Sequence, residues 1–177
     1  RVSDRARCVK RIGWYLDSFV LPDRVINPPG NETLVYQGAA IRDSPYSTGG
    51  TLDGWRHGVA ARCVGNSRPT FAISLAFGGS LAEMAGEGGG GFHFRGLSSC
   101  GKTTALNAAG SVWGRPDLYR RTWRSTGNAL EGVAATFNNG LLTLDEMSQV
   151  DPREAGDIAY LLANGQGKGR GSREGGN

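Results

Sequence analysis

The chain has 177 residues, 38% of them hydrophobic, with a formal net charge of +4. This length and apolar content allow one sizeable core with a small appended domain, and no apolar stretch is long enough for a membrane span. The 29 glycines follow no three-residue period, which excludes a collagen-like chain.

Residues 1–50 are predicted to form a small β-rich N-terminal region. Short strands are expected at 13–15, 19–22 and 33–36, because these apolar and aromatic runs are separated by prolines and glycines. Residues 51–87 are predicted to form a helical linker region. One helix is expected over 52–64, opened by Thr51, and a second over 68–85.

The most informative motif follows a short predicted strand at 92–94. Residues 96–103 read Gly-Leu-Ser-Ser-Cys-Gly-Lys-Thr, the G-x-x-x-x-G-K-[ST] pattern of a phosphate-binding loop. Glycines at both ends allow tight turns, and the amides between them can surround phosphates at the start of the next helix, predicted over 102–113. The residues expected to bind ATP are Gly96, Leu97, Ser98, Ser99, Cys100, Gly101, Lys102, Thr103 and Thr104.

Two of these side chains have more specific roles. The Lys102 ammonium is expected to contact the β- and γ-phosphates, which makes it a catalytic residue. The Thr103 hydroxyl is expected to bind Mg²⁺.

The second half of such a site should be an acidic pair at the end of a buried strand. An acidic pair begins 43 residues after Lys102. A strand is predicted at 119–123, a helix at 128–137 and a buried strand at 141–144, and this last strand leads into Asp145-Glu146. Asp145 at a strand end is a candidate Mg²⁺ ligand, and Glu146 is a candidate general base for the attacking water. Asp151-Pro152 then begins a helix that runs to about residue 164.

The alternation of strands and helices predicts an α/β fold, namely a P-loop NTPase core of the ASCE/AAA-like kind with a three-layer, parallel-sheet architecture over residues 88–177. The chain begins with Arg1 and ends in a glycine-rich segment. We therefore expect a fragment of a longer protein, with this core truncated at its C-terminus and its polar sensor and arginine finger beyond Asn177.

Cysteines and basic residues bear on compartment and partners. Cys8, Cys63 and Cys100 form no CxxC pair, which indicates reduced thiols in the cytoplasm. Lys168 and Arg170 lie in a glycine-rich basic loop that can contact a nucleic-acid backbone or be a solvated tail. Arg124 is one of the arginines around Trp123, which can contact single strands or form ion pairs and subunit contacts.

Several stretches resemble one known family. The stretches that carry the resemblance are Cys8–Tyr15, Gly65–Ile73, Gly91–Trp113, Arg121–Thr126 and Asp145–Lys168. They resemble the domain-of-unknown-function 927 family, whose bacterial, phage and plasmid members are commonly described as primase-associated helicases. The resemblance implies an ATPase related to hexameric, DNA-translocating motors. It thus implies single-stranded DNA as a partner, a homo-oligomer such as a hexamer, and a primase domain or partner.

The sequence therefore predicts an ATP- and Mg²⁺-dependent ATPase core of a DNA helicase or translocase of replication or mobile elements. Two alternatives stay open. One is a nucleotide-dependent switch or scaffold without unwinding activity, and the other is a small-molecule phosphotransferase. Glu146 directly after Asp145 favours hydrolysis over kinase chemistry.

Overall fold

A computed structural model describes residues 6–30, 32–38, 44–123 and 127–164 of the chain. Its first part is built from the strands β1 (Ala6–Val9), β2 (Gly13–Tyr15), β3 (Ser18–Val20), β4 (Val25–Ile26) and β5 (Thr33–Tyr36). β1 and β5 pair in parallel, whereas β2, β3 and β4 form an antiparallel meander. The three strands predicted here are confirmed in position, although β3 ends two residues before Pro22, and β1 and β4 are additional.

The next part is helical, as predicted. α1 (Leu52–Trp55), a π-helical segment (Arg56–Ala60) and α2 (Ala61–Cys63) are continuous, and α3 (Ser67–Leu81) follows. The Thr51 hydroxyl accepts a hydrogen bond from the amide of Gly54 at 3.0 Å, so Thr51 caps the first helix.

The last part alternates helices with short strands. Its elements are α4 (Lys102–Gly110), α5 (Pro116–Tyr119), β6 (Arg121–Thr122), α6 (Gly127–Ala135), β7 (Leu144–Asp145), a 3₁₀ turn (Met147–Gln149) and α7 (Pro152–Asn164). β6 and β7 pair in parallel, with Thr122 opposite Asp145. The described residues thus form a mixed α/β structure with small parallel and antiparallel sheets.

The strand predictions in this part need correction. Residues 91–97 have no regular secondary structure, so the strand predicted at 92–94 is wrong, because none of the described strands lies alongside to supply its hydrogen bonds. The strand predicted at 119–123 is reduced to β6, since Pro116 starts a helical turn that takes in Tyr119. The strand predicted at 141–144 begins only at Leu144 and extends through Asp145.

A mainly aromatic core cluster joins the first part of the chain to its second half. Ile12, Phe19 and Tyr46 share a buried cluster with Tyr119 and Phe137. Tyr119 is fully buried, and its hydroxyl donates a hydrogen bond to the carbonyl of Leu141 at 2.5 Å. Burial raises the pKa of the Tyr119 phenol well above its usual value.

A separate cluster of small residues packs α3 against α4. Ala72 and Ala76 of α3 meet Ala105 and Ala109 of α4, and their lack of long side chains lets the two helices approach closely. Phe94 packs against the same cluster. No helix in the described ranges combines the length and apolarity needed to cross a membrane.

Candidate nucleotide site

The phosphate-loop motif, Gly96–Thr103, forms a tight turn that leads into α4. Gly101 has φ +87° and Ser99 has φ 58°, so the backbone adopts left-handed conformations at both residues just before the helix starts at Lys102. A β-carbon on Gly96 would lie 2.7 Å from the sulfur of Cys100. Gly101 therefore meets a conformational requirement, whereas a side chain at Gly96 would require the Cys100 side chain to move.

Lys102 bends back over this loop. Its ammonium group donates hydrogen bonds to the carbonyl oxygens of Gly96, at 2.9 Å, and Leu97, at 2.6 Å. The Cys100 sulfur is 3.7 Å from the same nitrogen. The positive charge of Lys102 is thus held at the loop, where the motif requires it.

The two halves of the predicted site meet directly. The Thr103 hydroxyl, in the first turn of α4, donates a hydrogen bond to Oδ2 of Asp145 at 2.8 Å. Asp145 is the last residue of β7, and its backbone oxygen accepts a hydrogen bond from Trp123, so the parallel pairing with β6 fixes its position. A hydroxyl and a carboxylate are hard oxygen donors of the kind that Mg²⁺ prefers, so this pair fits the predicted metal.

Glu146 leaves the strand in an unusual conformation. Its φ is 61°, in the left-handed region, which costs a residue with a side chain about 1 kcal/mol. Its amide donates a hydrogen bond to Oδ1 of Asp145 at 2.9 Å, and its carboxylate accepts one from the side-chain amide of Gln149. Strained residues that are held by their surroundings are concentrated at functional sites.

The sequence prediction did not place three neighbouring residues, Gln149, Arg120 and Asn107, in the nucleotide site. Gln149 holds the Glu146 carboxylate, as described above. Nε of Arg120 lies 3.8 Å from Oδ2 of Asp145, and a terminal nitrogen of the same side chain donates a hydrogen bond to Asn107 in α4 at 3.0 Å. Arg120 therefore connects α4 to the acidic strand end.

The remaining candidate residues fall into two groups. Leu97, Ser98, Cys100 and Thr104 are exposed and lie in the loop or in the first turn of α4. The proposed nucleic-acid residues Arg124, Lys168 and Arg170 lie outside the described residues.

Comparison with known proteins places the chain in one family. The family model "Domain of unknown function (DUF927)" matches residues 1–177, so the chain belongs to this family. No curated protein matches the sequence.

Proposed function

We propose that this DUF927 chain is a P-loop ATPase that binds ATP with Mg²⁺. Water attacks the γ-phosphate, the bond to the β-phosphate breaks, and ADP and inorganic phosphate are released. The observation that carries the proposal is the 2.8 Å hydrogen bond between Thr103 and Asp145, residues 42 positions apart in sequence. The loop motif and the acidic pair were each predicted to hold Mg²⁺, and a chance match at either position would give no reason for the two side chains to meet.

The residues divide the chemistry between them. The loop amides and Lys102 bind the phosphates and stabilise the negative charge that develops on them. The Thr103 hydroxyl and the Asp145 carboxylate are the groups that would hold Mg²⁺, which supplies positive charge next to the phosphates. Glu146 accepts the proton of the attacking water, while Gln149 positions its carboxylate.

The proposal includes the fold. A three-layer, ASCE/AAA-like P-loop core is supported by the turn before α4, by the parallel pairing of β6 with β7 and by the acidic residues at the end of β7.

A DNA helicase or translocase role is the finer part of the proposal. It is supported by the family resemblance, which also implies a homo-oligomer and an associated primase, whereas the candidate DNA-contacting residues lie outside the described ranges. Single-stranded DNA should raise the ATP turnover of a motor several-fold. An unchanged turnover at all DNA concentrations would favour the nucleotide-dependent switch instead.

Steady-state ATP turnover and ATP binding test the ATPase itself. Lys102→Ala should lose most ATP binding, and Glu146→Gln should keep binding but lower turnover by about 10²- to 10⁴-fold, the usual contribution of a general base. Glu154→Gln, in the exposed first turn of α7, is the matched control and should change neither quantity. Turnover that survives Lys102→Ala, or that equals the parent in Glu146→Gln, would contradict these roles.

A further inference from the structure

A shallow groove, largely open to solvent, runs along the first half of α3, next to the chain that enters the Gly96–Thr103 loop. Its volume is about 560 Å³. It is lined by two aromatic rings, one cationic side chain and three hydroxyl groups, which belong to Phe71, Phe94, Arg68, Ser67, Thr70 and Ser74. Apolar rings therefore stand beside polar groups. The Thr70 and Ser74 hydroxyls already donate to the backbone carbonyls of Cys63 and Thr70, at 2.8 and 2.9 Å, so their oxygens remain as acceptors.

Contacts along α3 place this groove at the loop end of α4. At the far end of α4, the indole nitrogen of Trp113 donates a hydrogen bond to the carbonyl of Ala76, in the second half of α3. In the first half of α3, the Phe71 ring packs against Phe94 with 6.3 Å between ring centroids. Phe94 is two residues before Gly96, and two residues of chain span at most about 7 Å. The groove and the phosphate loop are therefore neighbours.

The lining fits one part of a nucleotide. A purine base is a flat aromatic ring system whose edge carries hydrogen-bond donors and acceptors, and aromatic side chains bind bases by stacking. Phe71 is 41% exposed despite its contacts with Phe92 and Phe94, so part of its ring is accessible to a ligand. Arg68 offers donors, and the oxygens of the groove hydroxyls offer acceptors, for the edge of the base.

We propose that this groove is the base-binding subsite of the nucleotide site and that it takes a purine. The inference rests on the proposed function, because it needs the phosphates of the same nucleotide in the Gly96–Thr103 loop. The Gly96–Thr103 loop then supplies affinity for any triphosphate, whereas the groove supplies additional affinity for a triphosphate that carries a base.

The test compares two probes, ATP and inorganic tripolyphosphate, by titration calorimetry in the presence of Mg²⁺. Phe71→Ala should weaken ATP binding about tenfold, the effect of losing one base–aromatic stack, and leave tripolyphosphate binding unchanged. Phe71→Tyr keeps the ring and should bind ATP as the parent does. Phe77→Ala is the matched control, since this exposed phenylalanine lies on the same helix and packs against Trp55 instead.

Each outcome separates the subsite from the phosphate loop. Equal ATP affinity in Phe71→Ala and the parent, or an equal loss for both probes, overturns the groove as a base site. Lys102→Ala should weaken both probes. If it weakens neither, the proposed function fails whatever Phe71 does, and the subsite fails with it.

Discussion

The hydrogen bond between Thr103 and Asp145 can be tested without any activity by a double-mutant cycle. Thr103→Val removes the hydroxyl at nearly constant shape, and Asp145→Ala removes the acceptor. A hydrogen bond to a charged group contributes about 1.5–3 kcal/mol when shielded from water. The Asp145 side chain is 18% exposed and Thr103 is exposed, so water weakens this bond and we expect a coupling of about 1–1.5 kcal/mol, at or below the lower limit of that range.

The assay is urea unfolding of the four proteins of the cycle at constant pH and salt. Both the Asp145→Ala variant and the double variant leave Arg120 without its carboxylate partner. This cost therefore cancels from the coupling energy. Thr104→Val provides the control cycle, because Thr104 is the adjacent exposed threonine and its coupling to Asp145 should be near zero. A Thr103–Asp145 coupling below about 0.5 kcal/mol, the usual limit of additivity, would refute the geometry on which the ATPase proposal depends.

Two further predictions concern neighbouring parts of the fold and the site. Gly78→Ala should stabilise the protein by about 0.5–1 kcal/mol, since a β-carbon there meets no other atom within 4 Å and alanine favours a helix. Gly79→Ala should destabilise the protein, because its β-carbon would collide with the carbonyl of Gly140. Thermal unfolding of the pair checks this, and a similar shift for both would contradict it. Arg120→Gln should tighten Mg²⁺ binding about fivefold without nucleotide, because the 3.8 Å attraction to Asp145 is worth about 1 kcal/mol in water-like surroundings. Arg120→Lys keeps the charge, so an equal gain in this variant would count against an electrostatic cause.

Local sequence signals sufficed for the turn at residues 96–101 and for the helix start at Lys102, because both depend on only a few neighbouring residues. The start of α4 at Lys102 and the left-handed conformation of Gly101 follow from the motif itself. Asp145 could likewise be placed at a strand end from the apolar run before it. These predictions needed no knowledge of what lies across the fold.

Predictions that depended on distant partners were less successful. The run at 92–94 has strand-like composition, but a strand exists only when another strand pairs with it. Arg120 is one of several arginines around Trp123, and only the parallel register of β6 with β7 brings it, rather than Arg121, to the Asp145 carboxylate. The spacing of these residues along the sequence does not reveal which residue of β6 pairs with which residue of β7.

The partners of the charged groups bear on how the site would bind a nucleotide. Lys102 is held by two loop carbonyls, Asp145 by Thr103, and Glu146 by Gln149. Phosphate and metal would therefore exchange with existing hydrogen bonds instead of ordering mobile side chains, so less conformational entropy is lost on binding. The exchange also costs the hydrogen bonds that are given up, which reduces the net affinity for each group. For this reason we expect Thr103→Val to weaken Mg²⁺–ATP binding less than the loss of a metal ligand alone would suggest, since the same change frees Asp145 from a competing partner.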